Sequence, residues 1–98
     1  MRLIIEERVE HSLRYLRPTE SAKVMHTLGE LERADFAHWR EKFKVVKSQT
    51  AGVQPFFVIR VNPRLRIICR YGENETLIIE DIVTHEGLEK FASGKQRR

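Results

Sequence analysis

Three arginines on two neighbouring apolar segments could bind a phosphate group. Arg60 ends the first segment, and Arg66 and Arg70 lie in the second. Residues separated by an even number point to the same face of a β-strand, so Arg66 and Arg70 share a face. Guanidinium groups on one sheet face can bind phosphate oxygens through charge-assisted hydrogen bonds and neutralise charge that develops on phosphorus. The alternative is that they are solvent-facing strand residues, paired with Glu80 or Glu73.

Basic residues are concentrated in this same part of the chain. Residues 42–72 hold seven of the 18 lysines and arginines and none of the 14 aspartates and glutamates, although the whole chain has a net charge of only +4. An acid-free basic segment favours a polyanionic partner such as RNA. Lys42, Lys44 and Lys47 can join the arginines in one electrostatic field, and Arg64 lies in the turn between the two segments.

Two further residues could take part in chemistry with a nucleic acid. His85 follows the last apolar run and could act as a general acid or base, since imidazole titrates near neutrality; the alternative is a capping or surface histidine. Phe56 is the aromatic residue expected on the arginine face, where its ring could stack on a base; the alternative is core packing. No metal-ligand spacing relates the remaining histidines to one another or to the cysteine: His11, His26, His38 and Cys69.

Several classes of protein are disfavoured by what the sequence does not contain. There is no glycine-rich phosphate loop, no pair of catalytic carboxylates and no Ser-His-Asp arrangement, so we expect no nucleotide cofactor and no metal. The single cysteine, Cys69, cannot form an intramolecular disulfide; it favours the cytoplasm and predicts a buried small hydrophobic side chain. The N-terminus does not resemble a signal peptide and no apolar run could span a membrane, so we expect a cytoplasmic protein without a membrane partner.

The elements that must position these residues follow from the apolar periodicity. Residues 7–17 and 19–33 have apolar side chains at helical spacing and predict two amphipathic helices joined at Pro18, with Thr19 capping the second. A loop is expected at residues 48–54 and a short terminal helix at 84–92. Apolar and alternating runs predict the strands, which are residues 2–6, 42–47, 56–61, 65–71 and 76–83.

A chain of 98 residues with 41% hydrophobic and 33% charged residues is typical of one globular domain, here residues 1–98. The order of elements predicts the α+β class. It consists of an N-terminal strand and an αα-hairpin, followed by an antiparallel sheet of three to four strands and a short C-terminal helix. One face of the sheet is expected to pack under the helices and the other to present cations.

This order of elements, ending in FFVIRVNPRLRIICRYGENETLIIEDIVTH, resembles the RelE/ParE superfamily of bacterial type II toxins, including HigB- and YoeB-like members. The resemblance covers nearly the whole chain and is most specific over residues 44–85. It implies a compact antiparallel sheet with helices on one side. Many members cleave mRNA in the ribosomal A site, use the substrate 2′-hydroxyl as nucleophile without a metal, and are held inactive by an antitoxin protein.

The resemblance also implies roles for individual residues. Arg66 matches the arginine of the family's R-L-V-Y strand, which contacts the scissile phosphate, and Arg60 matches a basic residue on the preceding strand. Lys47 matches a lysine before the central hairpin. His85 matches the C-terminal histidine of YoeB- and HigB-like members, the general acid. Lys44 falls near the position of the general base.

Two departures from the family pattern concern the proton transfers. Those members have Glu or His where this chain has Lys44, and a lysine acts as a base only when its pKa is strongly lowered, an effect that neighbouring cations promote. Phe91 stands where RelE itself has a C-terminal tyrosine.

Three functional hypotheses follow. The first is a ribosome-dependent mRNA endoribonuclease with an antitoxin, mRNA and the ribosome as partners. The second is a non-nuclease toxin that inhibits DNA gyrase, as ParE-like members do, for which His85 would be dispensable. The third is a catalytically inactive RNA-binding module of the same fold, which would bind RNA in a salt-dependent manner without cleaving it.

Overall fold

The computed structural model describes residues 1–48 and 55–87, in which two helices pack against one face of a five-stranded sheet. The strand order across the sheet is β1-β5-β4-β3-β2. The strands are β1 (Arg2–Ile5), β2 (Val45–Ser48), β3 (Phe56–Arg60), β4 (Leu65–Tyr71) and β5 (Thr76–Thr84). The helices are α1 (Glu7–Arg14) and α2 (Pro18–Arg33), and a short 3₁₀ helix (Trp39–Glu41) precedes β2. The predicted α+β class and order of elements are confirmed.

Strands β2 to β5 form a four-stranded antiparallel sheet, at the upper end of the predicted number. The N-terminal strand adds a fifth member, because β1 pairs with β5 in parallel, with Leu3 opposite Leu77. Parallel neighbours need a long crossover connection, and here it includes both helices. The first strand therefore lies at one edge of the sheet and β2 at the other.

The junction between the helices differs from the prediction in two ways. Helix α1 ends at Arg14, three residues early, because Pro18 disfavours helical backbone at Arg17, which is extended. The N-cap of α2 is Arg17 and not Thr19. Pro18 occupies the first helical position, where no backbone donor is needed. The carboxylate of Glu20 accepts the Arg17 backbone N–H at 3.2 Å.

The main core lies between the helices and the sheet and follows the predicted alternation. Ile59, Leu65, Ile67 and Cys69 are fully buried on this face, as predicted for Cys69. Burial raises the pKa of the Cys69 thiol to about 12, with a smaller contribution from the Glu80 carboxylate, so the thiol is not a nucleophile.

Aromatic side chains close one end of this core. Trp39 is 1% exposed, and its ring makes edge contacts with Phe57 and Tyr71 at centroid distances of 5.7 and 6.3 Å. Trp39 is therefore a core residue.

The opposite face of the sheet is less uniformly cationic than predicted. Phe56, Val58 and Ile68 are buried there as a second apolar cluster, with Val83 packed against them. A register shift beside Ile68 gives β5 one extra residue, as in a β-bulge, and Glu80 lies at that position. Apolar side chains therefore occupy the centre of this face, between Arg66 towards one end of β4 and Arg70 towards the other.

Part of the prediction falls outside the described residues. This applies to the loop at residues 49–54 and to the terminal helix beyond residue 87, although residues 85–87 are helical. Within the described ranges, none of the helices combines the length and the apolar character that crossing a membrane requires.

Candidate nucleic-acid interface

Three cations form a row across adjacent strands on the face opposite the helices. Arg60 lies opposite Arg66 in the β3–β4 ladder, and its backbone N–H donates to the Lys44 carbonyl at 3.0 Å, which continues the β2–β3 ladder by one residue. We call Lys44, Arg60 and Arg66 the cationic row. Directly opposed residues have Cβ atoms about 5 Å apart, so three cationic residues follow one another across the sheet. Among the described residues, no acidic group pairs with any member of the row.

Arg66 has the most constrained side chain of the row. It is half-buried, and its Nη1 donates to the backbone carbonyls of Asn62 at 2.7 Å and Leu65 at 3.0 Å. Both acceptors are uncharged, so the guanidinium is oriented while its charge is not offset. An oriented cation of this kind can stabilise a phosphate or a phosphorane.

His85 lies beside Arg66 in an open depression of about 520 Å³. Its backbone N–H donates to the Arg64 carbonyl at 2.8 Å, which holds the end of β5 against the turn between β3 and β4. The imidazole is exposed and therefore accessible to a bound substrate. The structure thus brings Arg66 and His85 together although 18 residues separate them. The depression is lined by Pro63, Arg64, Arg66, Thr84, His85 and Glu86.

Lys44 and Arg60 lie on the other side of Pro63, in a second depression of about 420 Å³. Lys42, which was predicted to bind RNA, also lines this depression and therefore adjoins the cationic row. Lys44 lines this depression and not the one that contains His85. The second depression is lined by Lys23, Lys42, Phe43, Lys44, Arg60, Val61, Asn62 and Pro63.

Arg64, which was predicted to bind RNA, is engaged by an acidic partner from α2. Its Nε and Nη2 donate to the two carboxylate oxygens of Glu20 at 2.8 and 3.2 Å. These hydrogen bonds, together with that from the Arg17 backbone, lower the pKa of Glu20 to about 2. The charge of Arg64 is therefore offset, and its main structural effect is to tie the turn to the helix layer.

Arg70 is also paired, as in the alternative in which a strand arginine forms an ion pair with Glu80. Its Nε lies 2.5 Å from Glu80 Oε2, and its Nη2 lies 3.8 Å from Glu6 Oε1. Glu80 is only 8% exposed, so the two charges of this pair lie in a partly buried environment where an unpaired charge would be costly. Of the three arginines singled out in the sequence, Arg60 and Arg66 remain available to an anion.

The remaining predicted RNA contacts have different outcomes. Phe56 lies on the arginine face as expected, but it is 2% exposed, so its ring offers no surface for a base to stack on in this conformation. Lys47 lies in β2, three residues along the chain from Lys44, and its backbone pairs with that of Phe57 in β3. The position of the Lys47 side chain lies outside the described part of the structure.

Among the described residues, the remaining histidines are paired with acidic neighbours or isolated and do not form a second centre. His26 pairs with Glu30 at 3.6 Å, and His38 Nδ1 lies 2.7 Å from Asp35 Oδ2, a contact that raises the pKa of His38 and lowers that of Asp35. Within residues 1–48 and 55–87, no three histidine, cysteine or acidic side chains are grouped closely enough to hold a metal ion.

Sequence reasoning missed four residues that shape the interface. Lys23 and Glu20 come from α2, and no pattern in the sequence shows which helix residues face the sheet turn. Asn62 precedes Pro63 in the turn, and Asn before Pro is a usable signal for a side chain that bonds its own backbone. Glu86 follows His85 directly and is a carboxylate that lines the Arg66 depression.

Comparisons with known proteins agree with this architecture. No family model matches the chain, and no curated protein matches it by sequence. The RelE–RelB complex from Pyrococcus horikoshii OT3 is similar with a TM-score of 0.65 and 21% identity, over 85% of this chain and 92% of that chain.

Two further solved structures are similar to the chain. The RelB–RelE antitoxin–toxin complex from Methanococcus jannaschii gives a TM-score of 0.67 at 11% identity, over 90% of this chain and 96% of that chain. YafQ from E. coli strain BL21(DE3) gives 0.67 at 13% identity, over 90% and 98%. The chain therefore has a RelE-like type II toxin fold, which confirms the resemblance at the level of the fold.

Proposed function

We propose that this chain, which has the fold of RelE-type toxins, is the toxin of a type II toxin–antitoxin system and cleaves mRNA on the ribosome. The observation that carries the proposal is the cationic row, together with the depression that joins its Arg66 to His85. Unpaired cations in a line fit a phosphate backbone, and an accessible imidazole beside the oriented guanidinium can transfer a proton.

The reaction that fits these groups is an internal transesterification. The 2′-oxygen of the RNA attacks the adjacent phosphorus, the bond from phosphorus to the 5′-oxygen breaks, and the products are a 2′,3′-cyclic phosphate and a free 5′-hydroxyl. Arg66, with Arg60 beside it, offsets the charge that builds on the phosphoryl oxygens. His85 donates the proton that the leaving 5′-oxygen needs. By analogy with oxyanion stabilisation, losing Arg66 should cost about 10²–10³ in rate.

The proton of the 2′-hydroxyl must go to a base. The resemblance assigned this role to Lys44, but Lys44 lines the depression on the far side of Pro63 from His85. Glu86 is an exposed carboxylate in the Arg66 depression, where its charge also acts on the guanidinium of Arg64. We therefore assign the base to Glu86, with Lys44 retained as a contact to RNA.

The partner implied by this function is an antitoxin whose acidic or apolar segment covers the cationic row. The two RelE structures were solved as complexes with RelB. An acidic segment bound to Lys44, Arg60 and Arg66 would use the same cations that we assign to RNA, so antitoxin and mRNA would compete for this surface.

Expression from a tightly repressed promoter in a bacterial host tests the proposal. The wild type should arrest growth and leave transcripts truncated at ribosome-occupied sites, while Arg66→Ala and His85→Ala should relieve the arrest. Arg8→Ala is the matched control, because Arg8 is exposed on α1 and lines neither depression. Unchanged growth with intact messages would contradict the proposal, and arrest with intact messages and blocked replication would select the gyrase-directed alternative.

One observation favours RNA binding without cleavage as the second candidate. The position at which family members have Glu or His holds Lys44, an exposed lysine whose direct cross-strand neighbour is Arg60. If Glu86 does not act as the base, the interface would still bind RNA through its cations. Purified protein that binds RNA with a strong salt dependence, and leaves messages intact on translating ribosomes, would establish this alternative.

A further inference from the structure

The turn between β3 and β4 is built around the side chain of Asn62. Its Oδ1 accepts the backbone N–H groups of both Arg64 at 2.8 Å and Leu65 at 2.7 Å. The Val61 N–H donates to the Leu65 carbonyl at 3.0 Å and closes the turn. Because one side-chain oxygen holds two successive donors, the peptide planes of the turn, including the direction of the Asn62 carbonyl, are fixed.

The Asn62 carbonyl is the shortest contact of the Arg66 guanidinium. Nη1 of Arg66 donates to it at 2.7 Å and to the Leu65 carbonyl at 3.0 Å, so both hydrogens of this nitrogen are used. A guanidinium has five N–H donors, which leaves three on Nε and Nη2. Those two nitrogens form the edge that binds a phosphate with two parallel hydrogen bonds.

The type of acceptor distinguishes Arg66 from the other arginines near it. Arg64 and Arg70 are held by the carboxylates of Glu20 and Glu80, which orient the guanidinium and also offset its charge. Arg66 is held by neutral carbonyls, which orient it without offsetting its charge. A residue that stabilises negative charge on phosphorus needs both properties.

We propose that Asn62 is a positioning residue for the nuclease site: its side chain fixes the turn so that its own carbonyl aims the free edge of Arg66 at the scissile phosphate. The catalytic part of this inference rests on the proposed function, whereas the ordering of the guanidinium does not. Loss of the Asn62 amide should release the turn carbonyl and let Arg66 move, while Arg66 itself and its charge remain.

A purely structural role for Asn62 would give a different pattern, and Asn74 provides the matched control. Asn74 lies in the turn between β4 and β5 with a backbone φ of 56°, a conformation that costs other residues energy. Asn74→Ala therefore weakens a β-turn next to the same strand without a contact to Arg66. Asn62→Asp keeps an oxygen that can accept both backbone donors.

The first measurement uses the free protein and requires no activity. Nitrogen-15 NMR of the arginine side chains reports the rate at which the Arg66 guanidinium rotates and the order parameter of its Nε–H bond vector. Asn62→Ala should make Arg66 mobile, Asn62→Asp should restore its order, and Asn74→Ala should leave it unchanged. If the Arg66 guanidinium has the same mobility in the wild type and in Asn62→Ala, whether low or high, the inference is overturned. If Asn62→Ala does not fold, Asn62→Gly, which also lacks a side-chain acceptor, gives the same comparison.

The second measurement is cleavage of mRNA on programmed ribosomes. Asn62→Ala should lower kcat about tenfold or more with KM little changed, because the lost interaction belongs to the transition state. In an Arg66→Ala background the same substitution should have no further effect, since Asn62 acts through Arg66. Additive losses would overturn the inference. A wild type that does not cleave would instead refute the proposed function, and the NMR comparison would still decide whether Asn62 orders Arg66.

Discussion

The salt dependence of RNA binding should separate arginines that have acidic partners from those that do not. Arg60→Gln and Arg64→Gln change the net charge of the protein by the same amount, and both side chains are exposed near the same turn. They differ in pairing, because Arg64 is held by Glu20 whereas no acidic group of the described residues pairs with Arg60. We expect Arg60 to displace counterions from RNA and Arg64 to displace few.

The size of the effect follows from the number of unpaired cations. For single-stranded nucleic acid, each phosphate contact contributes about 0.7 to the slope of log affinity against log salt. The three members of the cationic row should therefore contribute a slope of about 2, or roughly an 18-fold loss of affinity between 50 and 200 mM salt. Arg60→Gln should lower the slope by about 0.7. The loss of affinity between 50 and 200 mM salt should then be about 2.6 times smaller for this variant than for the wild type. Arg64→Gln should leave the slope nearly unchanged.

Fluorescence anisotropy with a 2′-O-methylated RNA oligomer provides the assay, because that RNA cannot be cleaved through its 2′-oxygen. Circular dichroism at each salt concentration confirms that both variants remain folded. Equal slopes for Arg60→Gln and Arg64→Gln would refute the reasoning that an ion pair withholds Arg64 from RNA. A wild-type slope near zero would show that the cationic row does not bind a phosphate backbone.

Three further predictions concern stability and reactivity. Because the pKa of Glu20 is about 2 in the folded state, against an ordinary 4.5, its stabilising effect is complete above pH 4.5 and is lost as the pH falls towards 2. The urea midpoint of the wild type should therefore fall more between pH 6 and pH 3 than that of Glu20→Gln. Cys69, with its pKa raised to about 12, should react with a thiol reagent at pH 8 about a thousandfold more slowly in the folded than in the unfolded protein. Ile67→Ala should cost about 2–5 kcal/mol in urea unfolding, because Ile67 is fully buried; a cost below 1 kcal/mol would contradict its place in the core.

The order of elements was predictable because apolar spacing is a local property of the chain. Leu65, Ile67 and Cys69 alternate with Arg66, Ile68 and Arg70, and the structure places these two sets on opposite faces of β4. The same alternation placed Arg60 and Arg66 on the face away from the helices. The parallel pairing of β1 with β5 was not predictable, because it depends on how the two helices that follow β1 pack against the sheet.

Whether each arginine has a carboxylate partner was decided by the tertiary structure. Arg60, Arg64, Arg66 and Arg70 are similar in the sequence, since all four lie in its acid-free segment. The acidic groups that distinguish them lie elsewhere: Glu20, 44 residues before Arg64, and Glu80, on the neighbouring strand. Whether an arginine is paired depends on which carboxylate the fold brings within about 4 Å, and local sequence does not encode that distance.

The sequence by itself determined the α+β class and the face of the sheet on which Arg60 and Arg66 lie, while the roles of Arg66 and His85 stay predictions. Only the tertiary structure decided that Arg66 and His85 line one depression, that Arg64 and Arg70 form ion pairs with carboxylates, and that Lys44 and His85 line different depressions that share Pro63. The physical reason is that residue type and period set which face a side chain occupies. Its neighbours across the sheet, and hence its charge environment and orientation, are set by strand register and by the conformation of a single turn.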